Sequence, residues 1–488
     1  MKRERLQFGI WSGAALVAGL LLRLWFVAHL GRVAGDGLFY GEIAKTWLQH
    51  GIYGVTNAGL TQGSIIVRPT LARLPGYPLF LAACFRLFGM ENYRAVLDMQ
   101  VVIDLVSCCL AGALAARLFG RRAGLIVLWI AALCPFTANY TSTALAETPV
   151  FFTIALSFYA FARWQDAGRG YNRWLWVVAA ALAYSILLRP EQGLLSAAVL
   201  PAMLWRSLAN SAEGKRWHAA LPVLAAALCV VLPLIVWTAR NERIFHVFQP
   251  LSPRDASDPG EVQLHGFSRW YDSWAIDFAA TDEFCWPMDG EPIAYSNLPT
   301  RAFAAPTPAA SQAMRHRTAA LIDDYNARLT LTPEIDSRFG ALGDELVRAH
   351  PVQYYFGLHV ARMLDMTLRP RTEMMPVADE WWRWKEHRAQ TAFATAYALL
   401  NLVYIAIASC GFRVWKRNRW RGLNATDQRG YREMAMAMVA SVILRVLLLL
   451  FIDNSEPRYT LEFFPVFFVW MGALFAAMRK TVRNPLSI

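Results

Sequence analysis

The sequence predicts an all-α polytopic membrane protein with about ten transmembrane helices, set by the length a helix needs to cross a bilayer and by loop charge. Three observations carry this prediction. The chain of 488 residues is 56% hydrophobic and holds 19 Trp and 28 Phe, more apolar than a soluble domain of its size. Several apolar runs approach or exceed the roughly 20 helical residues that span a hydrocarbon layer. The formal net charge of +12 is not spread evenly. Starting from the basic N-terminus "MKRER", alternate loops at 117–124, 163–173, 206–217, 412–432 and 479–484 are rich in Lys and Arg. That is the positive-inside pattern. The basic excess is therefore a topology signal with some attraction for anionic lipid, and nucleic acid is not an expected partner.

The apolar runs, taken in order, lie near 8–28, 95–116, 123–139, 148–162, 174–188, 193–206, 218–237, 391–410, 434–452 and 461–478. Both termini then face the cytoplasm. The first run has a basic start like a signal peptide but is too long for one, and reads as a retained anchor. The run at 75–89 contains Arg86, and as a span it would place basic loops outside. It is expected to be an interfacial or re-entrant helix within a membrane-hugging first external loop, 29–93.

Three regions follow: an N-terminal transmembrane catalytic module at 1–237, a larger mixed external segment at 238–390 between spans seven and eight, and C-terminal helices at 391–488. The external segment opens with 254–291, which carries nine acidic residues and two Arg. A Pro/Ala-rich stretch at 298–312 reads as loop. The pattern turns helical over 316–368, and "HPVQYYFGLHVARMLDMTL" suits a helix lying along the membrane. "EWWRWKEHR" supplies an aromatic, basic collar before the next span. Seven scattered cysteines give no disulfide framework and no metal spacing.

The polar residues that membrane economy does not explain collect on the external side. Asp36, Tyr40 and Glu42 follow the first span. Arg68, Arg73 and Tyr77 lie in "IIVRPTLARLPGYP". Glu147 opens the fourth span, and Arg189 and Glu191 stand in "LLRPEQG". Arg240 lies in "WTARNERIF", and Glu456, Arg458 and Tyr459 in "DNSEPRYTLEFFP". Charged groups at membrane depth are costly and are candidates for function. Asp36 suits a general base, against a plain role as cap or turn residue. Glu147 suits a second active-site carboxylate, against simple complementation of a helix dipole. Arg68, Arg73, Arg189, Arg240 and Arg458 suit a phosphate clamp, because guanidinium forks match phosphate oxygens. Arg458 and Glu456 equally suit a structural ion pair. Arg23 and Arg86 are expected to snorkel. No metalloprotease, Walker or nucleophile-elbow motif occurs.

The ordered set "GDGLFYGEIAKTWLQHGIYG", "RLPGYPLFLAACFRLFG", "LAETPVFFTIALSFYAFAR", "LLRPEQGLL", "VWTARNERIFHVFQPL" and "EPRYTLEFFPVFFVW" resembles the bacterial polyprenyl-phosphate-sugar transferases. These belong to the C-type glycosyltransferase superfamily (GT-C), with the protein O-mannosyltransferases and lipid A aminoarabinose transferases. The resemblance covers 5–250 and 434–478 and leaves 254–390 unmatched. It implies an inverting transferase of the inner membrane, with its site facing the periplasm or exterior. The donor would be a polyprenyl-phosphate-linked sugar and the acceptor an envelope glycolipid, polysaccharide or protein. By position, Asp36 and Glu147 match the acidic residues of that family's first and second external loops, where the second is often Asp. No cofactor is obligatory, and a divalent metal on Asp36 and Glu147 is the alternative. Rival readings are a lipid or polysaccharide transporter, a glycan polymerase or ligase using a diphosphate carrier, and a non-catalytic scaffold.

Overall fold

The structure is a computed structural model describing residues 2–58, 65–209, 216–254, 256–261, 263, 265–286, 288, 290–418, 425–452 and 454–483. The basic loops at 206–217 and 412–432 and the tail at 479–484 lie partly outside the described residues. The chain forms two compact units, one from 1–259, 403–444 and 461–488, the other from 260–402 and 445–460.

The first unit contains α1 (Lys2–Leu30), α2 (Asp36–His50), β1 (Gly54–Ala58), β2 (Ile65–Pro69), α3 (Gly76–Phe88), α4 (Tyr93–Phe119), α5 (Arg121–Ala132) and α6 (Pro135–Asn139). It continues with α7 (Glu147–Asp166), α8 (Arg173–Leu188), α9 (Gly193–Leu208) and α10 (Arg216–Phe245). In the second unit lie α11 (Gly266–Asp272), α12 (Phe278–Ala280), α13 (Pro308–Arg328), α14 (Pro333–Ala349) and α15 (Leu358–Leu368). Helices α16 (Arg388–Asn418), α17 (Ala425–Leu449) and α18 (Arg458–Leu461) contribute to both units, and α19 (Phe464–Arg483) returns to the first.

Every apolar run of the sequence is helical, and the chain is a multi-pass membrane protein. Among the described residues, Leu6–Leu30, Tyr93–Phe119, Arg216–Phe245 and Arg388–Arg417 are long and apolar enough to cross a bilayer. Crossings beyond these and the bent pair below rest on the sequence pattern. The architecture is mostly helical, as expected, with one short extended element in the described residues. Residues 54–58 and 65–69 pair as an antiparallel hairpin, with Val55 opposite Arg68 and Thr56 opposite Val67. The β-branched character of "GVT" and "IIV" explains why this stretch of the segment 29–93 is extended.

The run expected as one span at 123–139 is broken. Helix α5 ends at Ala132, and the chain bends by 46° into the segment 135–142. Pro135 is the cause: it excludes helical geometry at Cys134, whose ψ is 110°, and it can open a new helix as its first residue. A break at membrane depth leaves α5 carbonyls to be satisfied. Arg23 does this at Ala132 O, donating at 2.7 Å, and donates also to Gly19 O of its own helix at 2.8 Å. Its Nε donates to Asp104 Oδ2 at 2.8 Å, and the side chain is fully buried. The snorkelling expected for Arg23 is thus overturned. Its partners lie on α1, α4 and α5, so it fastens three helices in the interior.

In the second unit, Asp336 of α14 accepts from Gly266 N at 2.9 Å and Phe267 N at 2.8 Å, anchoring the start of α11. The two helices cross closely at Gly343, where a Cβ would lie 2.7 Å from Trp270 N. Trp270, Trp274, Phe339, Met314, Ile322 and Tyr325 form the core. Helix α13 begins inside the stretch expected as loop: Thr307 caps Ala310 N at 3.2 Å and Pro308 takes the first turn. Arg371 is buried and ties 369–372 to Asn401, Pro457 O (2.8 Å) and Thr460 (2.8 Å).

Burial lifts the Asp365 carboxyl to about 6, against Arg369, and the Asp379 carboxyl to about 7, with the neighbouring Asp282 adding to it. Both folded values exceed the ordinary aspartate range, so the folded unit binds protons more tightly than the unfolded chain. Stability from these groups is therefore full below about pH 4 and is lost as pH rises through 6 and 7. The thermal midpoint in detergent should rise when pH falls from 8 to 5.5, and Asp379→Asn should flatten that dependence. An unchanged slope in the variant would remove Asp379 as its source.

Candidate active site

The site builds from the backbone where α1 gives way to α2. Arg32 forms a parallel bridge with Thr143, its N–H donating to Ser142 O at 3.1 Å. Gly37 then lies so close to Ala144 that a Cβ would stand 2.8 Å from Ala144 O. The first turn of α2, which carries Asp36, is thereby seated on the segment that leads into Glu147. Gln100 of α4 steadies the same segment, donating to Thr143 O at 2.7 Å and accepting from the Tyr77 hydroxyl at 2.9 Å.

Two ion pairs face this seat. Asp36 Oδ1 accepts from Arg73 at 2.9 Å, with both side chains about a third or less exposed (32% and 26%). The Arg73 guanidinium also lies 5.5 Å from the Phe39 ring centroid and 6.0 Å from that of Tyr40. Glu147, almost wholly buried at the start of α7, pairs with Arg189. Arg189 is also 3.4 Å from Glu191 and 3.5 Å from Glu462. Among the described residues no group of three His, Cys, Asp or Glu side chains is arranged to hold a metal ion. At these carboxylates a guanidinium takes the central place.

The charges of both pairs act on Tyr40. Burial raises its hydroxyl above the usual tyrosine range; Arg73 opposes this, Asp36 adds to it, and Arg189 and Glu147 act more weakly. Its ring stands edge-on to Tyr77 at 5.1 Å. One tyrosine hydroxyl, kept neutral and half-buried, therefore feels the charges of both carboxylate–arginine pairs.

The remaining sequence candidates divide by surroundings. Arg240 donates to Thr70 O at 2.8 Å and Tyr53 O at 2.9 Å, and stacks over Tyr53, Trp237 and Phe245. This is a brace beneath the hairpin. Arg68 lies 3.7 Å from Asp258, which itself accepts from Leu71 N at 2.7 Å, and 42% of its side chain is exposed. Glu42 accepts from Thr56 and, at 3.4 Å, from Thr46, and so ties α2 to β1. Tyr77 is buried and spends its hydroxyl on Gln100. Glu456, Arg458 and Tyr459 belong to the second unit, where Glu456 accepts from Tyr459 at 2.8 Å and pairs with Arg458. That pair fits the structural alternative raised for "EPRY".

Sequence reasoning missed Glu462 and Gln192. Both are buried, and the Gln192 amide donates to Glu462. Glu462 stands among aromatics in "TLEFFP", and an acid there had no apolar reason to be present, which was the available signal. Gly76 was not singled out in the sequence. A Cβ at Gly76 would lie 2.4 Å from Leu187 C, so α3 rests directly on the backbone that presents Arg189. Gly76→Ala is expected to cost about 1–3 kcal/mol through overpacking. A lowered thermal midpoint would report it, and an unchanged midpoint would show that α3 shifts freely.

Residues 68–237 match the family described as dolichyl-phosphate-mannose-protein mannosyltransferase. The fold is shared with the Archaeoglobus fulgidus oligosaccharyltransferase solved with a tethered acceptor peptide. That likeness has a TM-score of 0.50 at 11% identity, over 98% of this chain and 51% of the other. A second structure, the oligosaccharyltransferase AglB of the same organism with an inhibitory peptide and a dolichol-phosphate, gives 0.48 at 12% identity, over 98% and 52%. ArnT from Cupriavidus metallidurans bound to undecaprenyl phosphate gives 0.37 at 14% identity, over 90% and 77%. The chain spans about half the length of the solved oligosaccharyltransferases it matches. None of the curated proteins matches it. The family match falls within residues 5–250, where the sequence motifs resemble the C-type glycosyltransferases.

Proposed function

We propose that this chain is an inverting glycosyltransferase of a bacterial inner membrane. It moves a sugar from a polyprenyl-phosphate carrier to an envelope acceptor on the external face. The observation that carries this reading is the pair of carboxylate–arginine couples, Asp36–Arg73 and Glu147–Arg189, whose charges both act on Tyr40; Arg73, Glu147 and Arg189 lie within the region matched to the mannosyltransferase family.

The donor phosphate binds Arg73, with Arg68 nearby in sequence as a second partly exposed cation. Arg73 is engaged with Asp36 beforehand, so an arriving phosphate competes for the guanidinium and frees the carboxylate to take a proton. The acceptor hydroxyl then attacks the anomeric carbon. Its O–C bond forms as the bond from that carbon to the phosphate oxygen breaks, and the hydroxyl proton passes to Asp36. Polyprenyl phosphate leaves with its added charge met by Arg73, an interaction stronger in the transition state than before it. Glu147 orients the acceptor, and neutral Tyr40 contributes a hydroxyl. One displacement inverts the anomeric centre. Asp36 and Glu147 act here as carboxylates without an obligatory metal.

The test is polyprenyl-phosphate release in proteoliposomes given a panel of polyprenyl-phosphate sugars and an envelope extract as acceptor. Release with an inverted product supports the reading, and a product retaining the donor's configuration excludes a single displacement. Movement of labelled lipid across the bilayer without release would favour the transporter.

A further inference from the structure

We infer that Glu462 is a positioning residue of this site: with Gln192 it holds the Arg189 guanidinium against Glu147, so that Arg189 serves that carboxylate and not the donor phosphate. The inference rests on the transferase reading above. It brings the C-terminal segment into a site otherwise built by residues 36–192.

Glu462 lies just before α19 and is buried. One of its oxygens accepts from the Gln192 amide, and the other stands 3.5 Å from Arg189. Gln192 is steadied in turn by Ser185, whose hydroxyl donates to it at 3.4 Å, and Ser185 by Thr153, donating at 3.2 Å. The result is a buried polar chain from α7 and α8 through Gln192 to Glu462. One terminal nitrogen of Arg189 faces Glu191 and Glu462, and the other binds Glu147.

A phosphate approaching Arg189 would meet three carboxylates and would have to displace buried ones. Stranding a buried charge is costly, and like charges at this range repel. Arg73 has the opposite setting, with its own side chain and that of Asp36 both partly exposed. The two arginines of the site therefore divide their work, Arg73 toward phosphate and Arg189 toward Glu147.

The experiment uses the full chain in nanodiscs, with polyprenyl monophosphate as the binding probe and turnover kinetics alongside. Arg73→Gln should weaken polyprenyl monophosphate about tenfold, whereas Arg189→Gln should change its Kd less than about twofold. Glu462→Gln should lower kcat about tenfold with donor KM nearly unchanged, and Glu462→Asp should recover part of the loss. A merely structural role would not separate kcat from KM or respond to the conservative variant. Equal weakening of the probe by both arginine variants, or full turnover in Glu462→Gln, would overturn the inference. Should Glu462→Gln not fold, Gln192→Leu and Glu462→Asp make the same measurement. Absence of transfer by wild type would sink the transferase reading alone, since the two Kd comparisons still decide the role of Arg189.

Discussion

Asp36→Asn should reduce sugar transfer by about 10²–10⁴-fold, the usual contribution of a positioned general base. The amide keeps the size of the carboxylate and can still present an oxygen to Arg73, so the seat of α2 on Ala144 should survive. Thermal stability should therefore stay near wild type, and polyprenyl monophosphate should bind as well or more tightly, because the neutral amide competes less for Arg73. Transfer by Asp36→Asn at the wild-type rate would remove Asp36 as the base. A loss of transfer accompanied by lost polyprenyl-phosphate binding would instead assign Asp36 to the hold on Arg73. Because the donor phosphate competes for Arg73, the two readings separate in one titration.

Arg23→Met should have the largest effect on stability. It strands Asp104, which is 2% exposed, and also leaves the broken end of α5 without the donor at Ala132 O. Breaking a buried ion pair by removing one partner costs about 3–5 kcal/mol. The expected result is a sharp fall in folded yield and in thermal midpoint. The double variant Arg23→Met with Asp104→Leu should recover much of this, because the charge needing a partner is then gone. Recovery in the double variant would identify the ion pair as the source. A double variant as unstable as the single would point instead to the unsatisfied carbonyl at Ala132.

The two positions show where sequence reading reaches. Asp36 stood out because a carboxylate beside a membrane span has few structural reasons to be there, and the structure gives it an arginine partner and a view of Tyr40. Arg23 was read as a snorkelling residue because a lone cation in an apolar run commonly reaches the interface. Its true partner, Asp104, lies far away along the chain on another helix. Glu462 was overlooked for the same reason: its meaning comes from Gln192 and Arg189, which only folding brings beside it. Pro135 is a different case: the break between α5 and α6 was written in a single residue, yet the run at 123–139 was expected as one span.

The sequence by itself determined the helical elements: apolar runs specify helices through length and local backbone sterics, whereas the hairpin at 54–58 and 65–69 emerged only in the structure. It also picked out the acids and arginines that a membrane protein retains at a cost. Tertiary structure alone decided which charge meets which. Arg240 became a brace, Arg73 the partner of Asp36, and Arg189 the centre of three carboxylates. The physical reason is that side-chain electrostatics acts over a few ångströms in space, and distance along the chain carries no record of it.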